Sequence, residues 1–153
     1  MEISHRPASL SDSDSLFLWR NSLSSRKFSL DSEQISPESH ANWFESRIAR
    51  QSSEPFTFFE GIRGTVGMTR LDLISGAQDG FVLSIIVDPE YQGLGVGRKI
   101  LDLTCELVAK EFAGHYILAE VHKDNYVSQK LFDSSGFNQL QSEGEFLKYF
   151  KSL

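Results

Sequence analysis

Three glycines at alternate positions, Gly93, Gly95 and Gly97, lie between a short apolar run and a helical pattern, and Arg98 follows them directly. Glycine removes the side chain where backbone must come close to something bulky. The N–H groups of such a loop, backed by a helix N-terminus, form an anion site, most often for phosphate. The Walker pattern needs Gly-Lys-Ser/Thr to close the loop, whereas Gly97 leads into Arg98-Lys99-Ile100. The dinucleotide pattern needs a third glycine three places after the second, and neither Gly95 nor Gly97 supplies that register. A plain tight turn is the alternative reading of these glycines.

The elements that must position the loop can be read on both sides of it. Residues 81–87 are apolar, rich in β-branched types and too few for an ordinary helix, so a strand is expected. Ile100, Leu101, Leu103, Leu107, Val108 and Phe112 then recur at helical spacing, with Gly114 as the stop. Upstream, residues 1–6 read as a weak strand. Ser11-Asp12-Ser13-Asp14 offers caps to a helix through Leu16, Phe17, Leu18 and Trp19 that ends near Asn21, where Ser22, Ser24 and Ser25 break the pattern. Residues 26–34 read as a loop anchored by Phe28 and Leu30. Ser36-Pro37-Glu38 starts a second helix that continues through Trp43, Phe44, Arg47 and Ile48 to about Arg50. Residues 55–62 and 65–73 make a hairpin turned at Arg63-Gly64, and residues 75–80 a polar turn. A strand at 115–121, a helix at 125–135 stopped by Gly136, and a hairpin of 137–141 with 145–151 complete the order. The alternation implies an α/β sandwich with a mixed sheet.

At 153 residues a single domain spanning 1–153 is expected, with 40% hydrophobic and 24% charged residues, ordinary for a soluble protein. No apolar run approaches a membrane span, the N-terminus lacks a signal-peptide core, and a cytoplasmic location is the default. Cys105 has no cysteine partner, and no metal is expected. A net charge of −6 argues against general nucleic-acid binding. A monomer or a homodimer both remain open.

Gln92-x-x-Gly95-x-Gly97, after Val87-Asp88-Pro89-Glu90-Tyr91, resembles the acetyl-CoA loop of the Gcn5-related N-acetyltransferases (GNAT). A second stretch, Asn125-x-x-Ser128-x-x-Leu131-Phe132-x-x-x-Gly136-Phe137, resembles that family's Asn-x-x-Ala-x-x-Leu-Tyr-x-x-x-Gly-Phe. The resemblance covers at least residues 67–137. It implies a GNAT fold: a mostly antiparallel mixed sheet, splayed after the fourth strand and flanked by about four helices. It further implies that Ile86 and Val87 offer backbone to the pantetheine arm, that the N–H groups of Gln92, Gly93, Leu94, Gly95, Val96, Gly97 and Arg98 take the pyrophosphate, and that Asn125 and Ser128 contact the cofactor from the opposite side. Asn125 would serve equally as a helix cap.

The reaction so implied is acetyl transfer from acetyl-CoA to a primary amine by direct attack in a ternary complex. Glu120 matches a position used as base in some relatives, and an ordinary strand carboxylate is the competing reading. Ser84 shares a strand face with Ile86 and would position the amine or a water. Many relatives supply the thiolate's proton from a tyrosine where this chain has Phe132, so the role passes elsewhere, with Tyr126 nearby in sequence. A thiol pKa of about 8.5 makes the thiolate a tolerable leaving group even so. Trp19-Arg20-Asn21, Arg26, Phe28 and the helix around His40 and Trp43 look like those of acetyltransferases acting on the 4-amino group of nucleotide-linked deoxysugars, of the pseudaminic acid pathway type. Rings would then take the base and Arg20 or Arg26 the phosphate. Core packing is the competing reading of Trp19, Trp43 and Phe44. Protein N-terminal amines are the rival acceptors, and a CoA-binding regulatory module is the non-enzymatic alternative.

Overall fold

The computed structural model describes residues 1–29 and 33–153. Its strands are β1 (Ser4–Pro7), β2 (Phe56–Gly61), β3 (Gly64–Ile74), β4 (Gly80–Val87), β5 (Tyr116–His122), β6 (Asn138–Leu140) and β7 (Phe146–Ser152), in one sheet of order β1-β2-β3-β4-β5-β7-β6. Its helices are α1 (Ser13–Arg20), α2 (Leu23–Lys27), α3 (Pro37–Ile48), α4 (Val96–Glu111) and α5 (Tyr126–Ser134).

The first four strands run antiparallel to their neighbours, and β5 runs antiparallel to β7. Where the two groups meet, β4 is parallel to β5, and the pairing covers only Gly80–Val82 against Tyr116–Leu118. Residues 83–87 of β4 keep their partners on β3. On the β5 side they have no strand partner, so the sheet opens into a wedge. Its closed end is packed tightly. A Cβ on Gly80 would lie 2.5 Å from ring carbons of Tyr116, so the tyrosine rests on bare backbone.

Both faces of the sheet are covered, which explains why β2 does not alternate. Phe56 and Phe58 pack with Leu16, Trp19 and Phe44 from α1 and α3, while Phe59 packs with Val96 and Ile100 of α4 on the other side. A second core unites Phe81, Leu101, Val108, Ala119, Phe132 and Tyr149 under α4 and α5. Cys105 is buried there as a free thiol, its pKa pushed up by burial. Gly67 lets α4 lie close: a Cβ there would meet Ile100 Cδ1 and the Ile86 carbonyl oxygen at 2.7 Å.

The segment after α1 departs from expectation. The serines do end α1, but Ser22 Oγ also accepts from Ser25 N at 3.3 Å and so caps the short helix α2. A serine that breaks one helix satisfies the first N–H groups of the next. Among the described residues five α-helices flank the sheet, in keeping with the four or so that the resemblance implies. Leu30, expected as an apolar anchor, lies outside the described residues.

Candidate functional site

The glycine loop is braced from three sides. Asp88 N donates to the Val66 carbonyl at 2.8 Å, Asp88 Oδ1 accepts from Glu90 N at 3.0 Å, and Gln92 Nε2 donates to the Val87 carbonyl at 3.2 Å. Gly93 and Gly95 adopt φ of 80° and 78°, left-handed values that L side chains rarely tolerate. Gly95 is the N-cap of α4 and has no side chain to offer, so the first N–H groups of the helix stay unpaired. From residue 93 to 98 no backbone N–H has a hydrogen-bond partner among the described residues. Val96 is buried and pins the turn, while Leu94 is exposed. Gly97 is helical, and a Cβ there would make only ordinary contacts with Leu131 and Val87. Arg98 lies at the surface, its Nε paired with Asp102 Oδ1 and Oδ2 at 3.2 and 3.1 Å.

The wedge lies beside this loop. Ile86 packs toward the α1 and α3 core and Val87 toward α4, as strand alternation requires. Ser84 shares the Ile86 face. Carried two residues beyond the Val82–Leu118 pair, the parallel register sets Ser84 level with Glu120 across the wedge. Glu120 is exposed, and its neighbour on β7 is Lys148. Asn125 Oδ1 accepts from Ser128 N at 3.2 Å, which makes Asn125 the N-cap of α5. Its Nδ2 has no hydrogen-bond partner among the described residues. Tyr126 is 71% exposed at the start of α5, whereas Phe132 is buried between Phe137 and Tyr149.

The N-terminal residues divide. Trp19 is buried against Phe58, with ring centroids 6.1 Å apart, so it supports the site from within the core. Asn21 is a clamp: its Nδ2 donates to the Ile35 carbonyl at 3.1 Å and its Oδ1 accepts from Ile35 N at 2.8 Å. Phe28, just after α2, lies 5.5 Å from the His122 ring at the end of β5, so this segment reaches across the open end of the wedge. Arg26 Nε is buried without a hydrogen-bond partner among the described residues. Arg20 Cζ lies 4.4 Å from the Trp43 ring centroid, and its Nη1 donates to His40 Nδ1 at 3.1 Å. That bond fixes the histidine. His40 Nε2 lies 2.9 Å from the Ser13 carbonyl, which can only accept, so Nε2 carries the proton and Nδ1 is the acceptor. Burial first, with the Arg20 charge adding to it, holds His40 below its usual pKa, and the Ser13 carbonyl offsets this only in part.

Sequence reasoning missed Arg70. Its Cζ lies 5.1 Å from the same Trp43 ring, its Nε donates to Asp72 Oδ2 at 2.9 Å, and its Nη2 donates to Ser84 Oγ at 3.3 Å. Asp72 Oδ1 also accepts from the buried Arg47 at 3.0 Å. The signal was an arginine in an otherwise buried strand, readable only once Arg70 is known to pair with Ser84. Among the described residues no group of three or more His, Cys, Asp or Glu could hold a metal ion, and no helix is long and apolar enough to cross a membrane.

Residues 4–138 match the family model described as the acetyltransferase (GNAT) domain. Over 60 residues the chain is 37% identical to the [ribosomal protein bS18]-alanine N-acetyltransferase of Haemophilus ducreyi, a match covering 39% of this chain and 40% of that relative. The spermidine N-acetyltransferase of Vibrio cholerae, solved with CoA and spermine, superposes with a TM-score of 0.86 at 16% identity over 98% of this chain and 95% of that one. A ribosomal-protein-alanine N-acetyltransferase from Brucella melitensis superposes at 0.78 with 23% identity, over 98% and 99% of the two chains. At such identities the superpositions establish the fold alone.

Proposed function

This chain belongs to the acetyltransferase (GNAT) domain family, and we propose that, as an acetyl-CoA-dependent N-acetyltransferase, it acetylates a primary amine presented at the wedge between β4 and β5. The observation that carries the reading is the juxtaposition of that wedge with the N–H groups of residues 93–98, unpaired among the described residues. An array of unpaired donors at the start of a 16-residue helix fits a pyrophosphate, and an open strand edge fits an amide-bearing arm. The residues present therefore suit CoA. The backbone of Gln92, Gly93, Leu94, Gly95, Val96, Gly97 and Arg98 would hold its phosphates, Ile86 and Val87 its arm, and Asn125 and Ser128 its opposite side. Bound there, acetyl-CoA supplies an activated acetyl thioester.

This chain's own groups then handle the amine. Direct attack needs a neutral amine and a route for its proton. In this reading Ser84, level with Glu120 across the wedge, would orient the amine or a water, and Glu120 would take its proton, directly or through that water. The N–H groups at the end of β4 would stabilise charge on the carbonyl oxygen. Phe132 has no proton to give, and the exposed Tyr126 could reach the leaving thiol only by approaching from the surface.

For the acceptor, the first reading is the 4-amino group of a nucleotide-linked deoxysugar, supported by the Trp19-Arg20-Asn21 resemblance and by arginines beside the wedge. Trp19 cannot stack a base from inside the core, so that reading now leans on Arg20 and Arg26. A protein N-terminal amine is the second reading, favoured by the match to the Haemophilus ducreyi enzyme. Release of free thiol from acetyl-CoA, measured with UDP-linked 4-amino-4,6-dideoxy sugars beside alanine-initiated peptides, separates them. Turnover with one class alone decides the acceptor. CoA binding without turnover of either would sink the transferase reading in favour of a regulatory module.

A further inference from the structure

Among the described residues, a single carboxylate is ion-paired with the arginines gathered on one side of the wedge. Arg20, Arg47 and Arg70 converge near Trp43 and Phe56, and of these Arg47 and Arg70 share the single carboxylate of Asp72. Arg20 has no carboxylate partner among the described residues. Its only polar contact there is the neutral His40. Bringing like charges together in a half-buried place is costly, and a cation–π contact offsets only part of that cost. The surroundings register the imbalance, since burial and then the Arg70 charge both press the Arg20 pKa downward.

The patch is also oriented. His40, locked by the Ser13 carbonyl, fixes one edge of the Arg20 fork. Arg70 is tied to Ser84, the β4 residue at the wedge. Arg26 adds a buried Nε donor with no acceptor among the described residues, on the segment that crosses the wedge through Phe28. A buried donor left unpaired is costly unless a ligand supplies its acceptor. Guanidinium forks match the oxygens of phosphates and carboxylates. The protein as a whole carries −6, so this attraction is local to the site.

We propose that Arg20 and Arg70, gathered on the Trp43 ring, bind an oxyanion of the acceptor, a phosphate or carboxylate near its amine, so that the acceptor is an anionic amine and not a polycation. This rests on the acetyl-transfer reading for the amine, though the anion site itself does not.

Two arms test it, with the protein saturated with CoA so that the glycine loop is already filled. In the first, calorimetry follows inorganic pyrophosphate and, separately, succinate. Saturable binding is expected for at least one, weakened about tenfold or more by Arg20→Gln, the scale of a lost charged hydrogen bond. In the second, thiol release compares matched amines, 2-aminoethyl phosphate against ethanolamine and β-alanine against propylamine, with spermidine alongside. The anionic member should have the higher kcat/KM, and Arg20→Gln should collapse that ratio, with Arg20→Lys between. The better anion in the first arm and the better pair in the second tell phosphate from carboxylate. Arg70→Gln serves if Arg20→Gln does not fold. Anion binding that is absent, or equal in wild type and variant, overturns the proposal, as does a preference for spermidine. If anions bind through Arg20 while no amine is acetylated, the transfer reading fails and the anion site stands.

Discussion

Tyr149 and His40 are two buried polar side chains with opposite fates. The Tyr149 hydroxyl is fully buried with no hydrogen-bond partner among the described residues, and its ring stacks on Phe132. Burial, then the charge of Asp133, raises its pKa, so the proton stays on. An unmet buried hydroxyl costs roughly 1–3 kcal/mol. Tyr149→Phe, which keeps the ring, should therefore raise unfolding free energy by about 1 kcal/mol in urea titrations. A loss instead would mean that the hydroxyl is bonded. His40 has both nitrogens engaged and is held neutral. Its folded pKa lies below the unfolded value, so the unfolded chain binds the proton more readily. Stability is full above the unfolded pKa of about 6.5 and declines as pH falls toward the folded value, by at most about 1.4 kcal/mol per pH unit. His40→Gln, which retains a donor and an acceptor, should lack that component when denaturation is compared at pH 7.5 and 5.5. Equal slopes in the two proteins would rule His40 out as its source.

At the scale of elements, what the sequence made legible was local, and what it concealed depended on pairing. The loop from Gln92 to Arg98 and the helix opened by Asn125 announce themselves through residues a few places apart, because caps and turns act over that distance. The start of α3 followed from Ser36 and Pro37 in the same way, while its end falls at Ile48, two residues short of the expected Arg50. Helix α2 stayed hidden because the serines that end α1 also begin it. The wedge was anticipated only through family resemblance. Its direct cause, three parallel pairs and then none, is a matter of register between strands some thirty residues apart. The pairings Arg20–His40, Arg47–Asp72 and Arg70–Ser84 likewise exist only once helices and strands are docked. The closed end of the wedge gives this level its test. Gly80→Ala drives a methyl into the Tyr116 ring and should force the two strands apart where they alone are joined. Overpacking of this kind costs typically 1–3 kcal/mol. A drop of that size in denaturant stability, together with weakened CoA binding, is expected. Unchanged CoA affinity in a destabilised protein would show that the closed end does not set the wedge.

The whole molecule is two sheet halves, β1 to β4 and β5-β7-β6, sharing a short parallel seam and the core beneath α4 and α5. A ligand lying along the wedge would touch both halves, and its phosphates would engage the donors of residues 93–98, which are unpaired among the described residues. Binding to the folded state alone adds about 2.7 kcal/mol of stability at a hundredfold excess over Kd. A ligand held only at the loop would give the same global gain, so a shift in melting temperature does not by itself locate CoA. Amide hydrogen exchange does. If CoA bridges the halves, it should slow exchange at residues 93–98 and also at the β5-facing amides of residues 83–87 and at the start of α5, beyond what the global gain confers. Protection confined to the loop would leave the seam and the core beneath α4 and α5 to tie the halves together and remove the wedge from the binding site. Protection on both walls would make the opening in the sheet the feature that couples CoA binding to the strand bearing Ser84 and to the patch of Arg20 and Arg70 beside it.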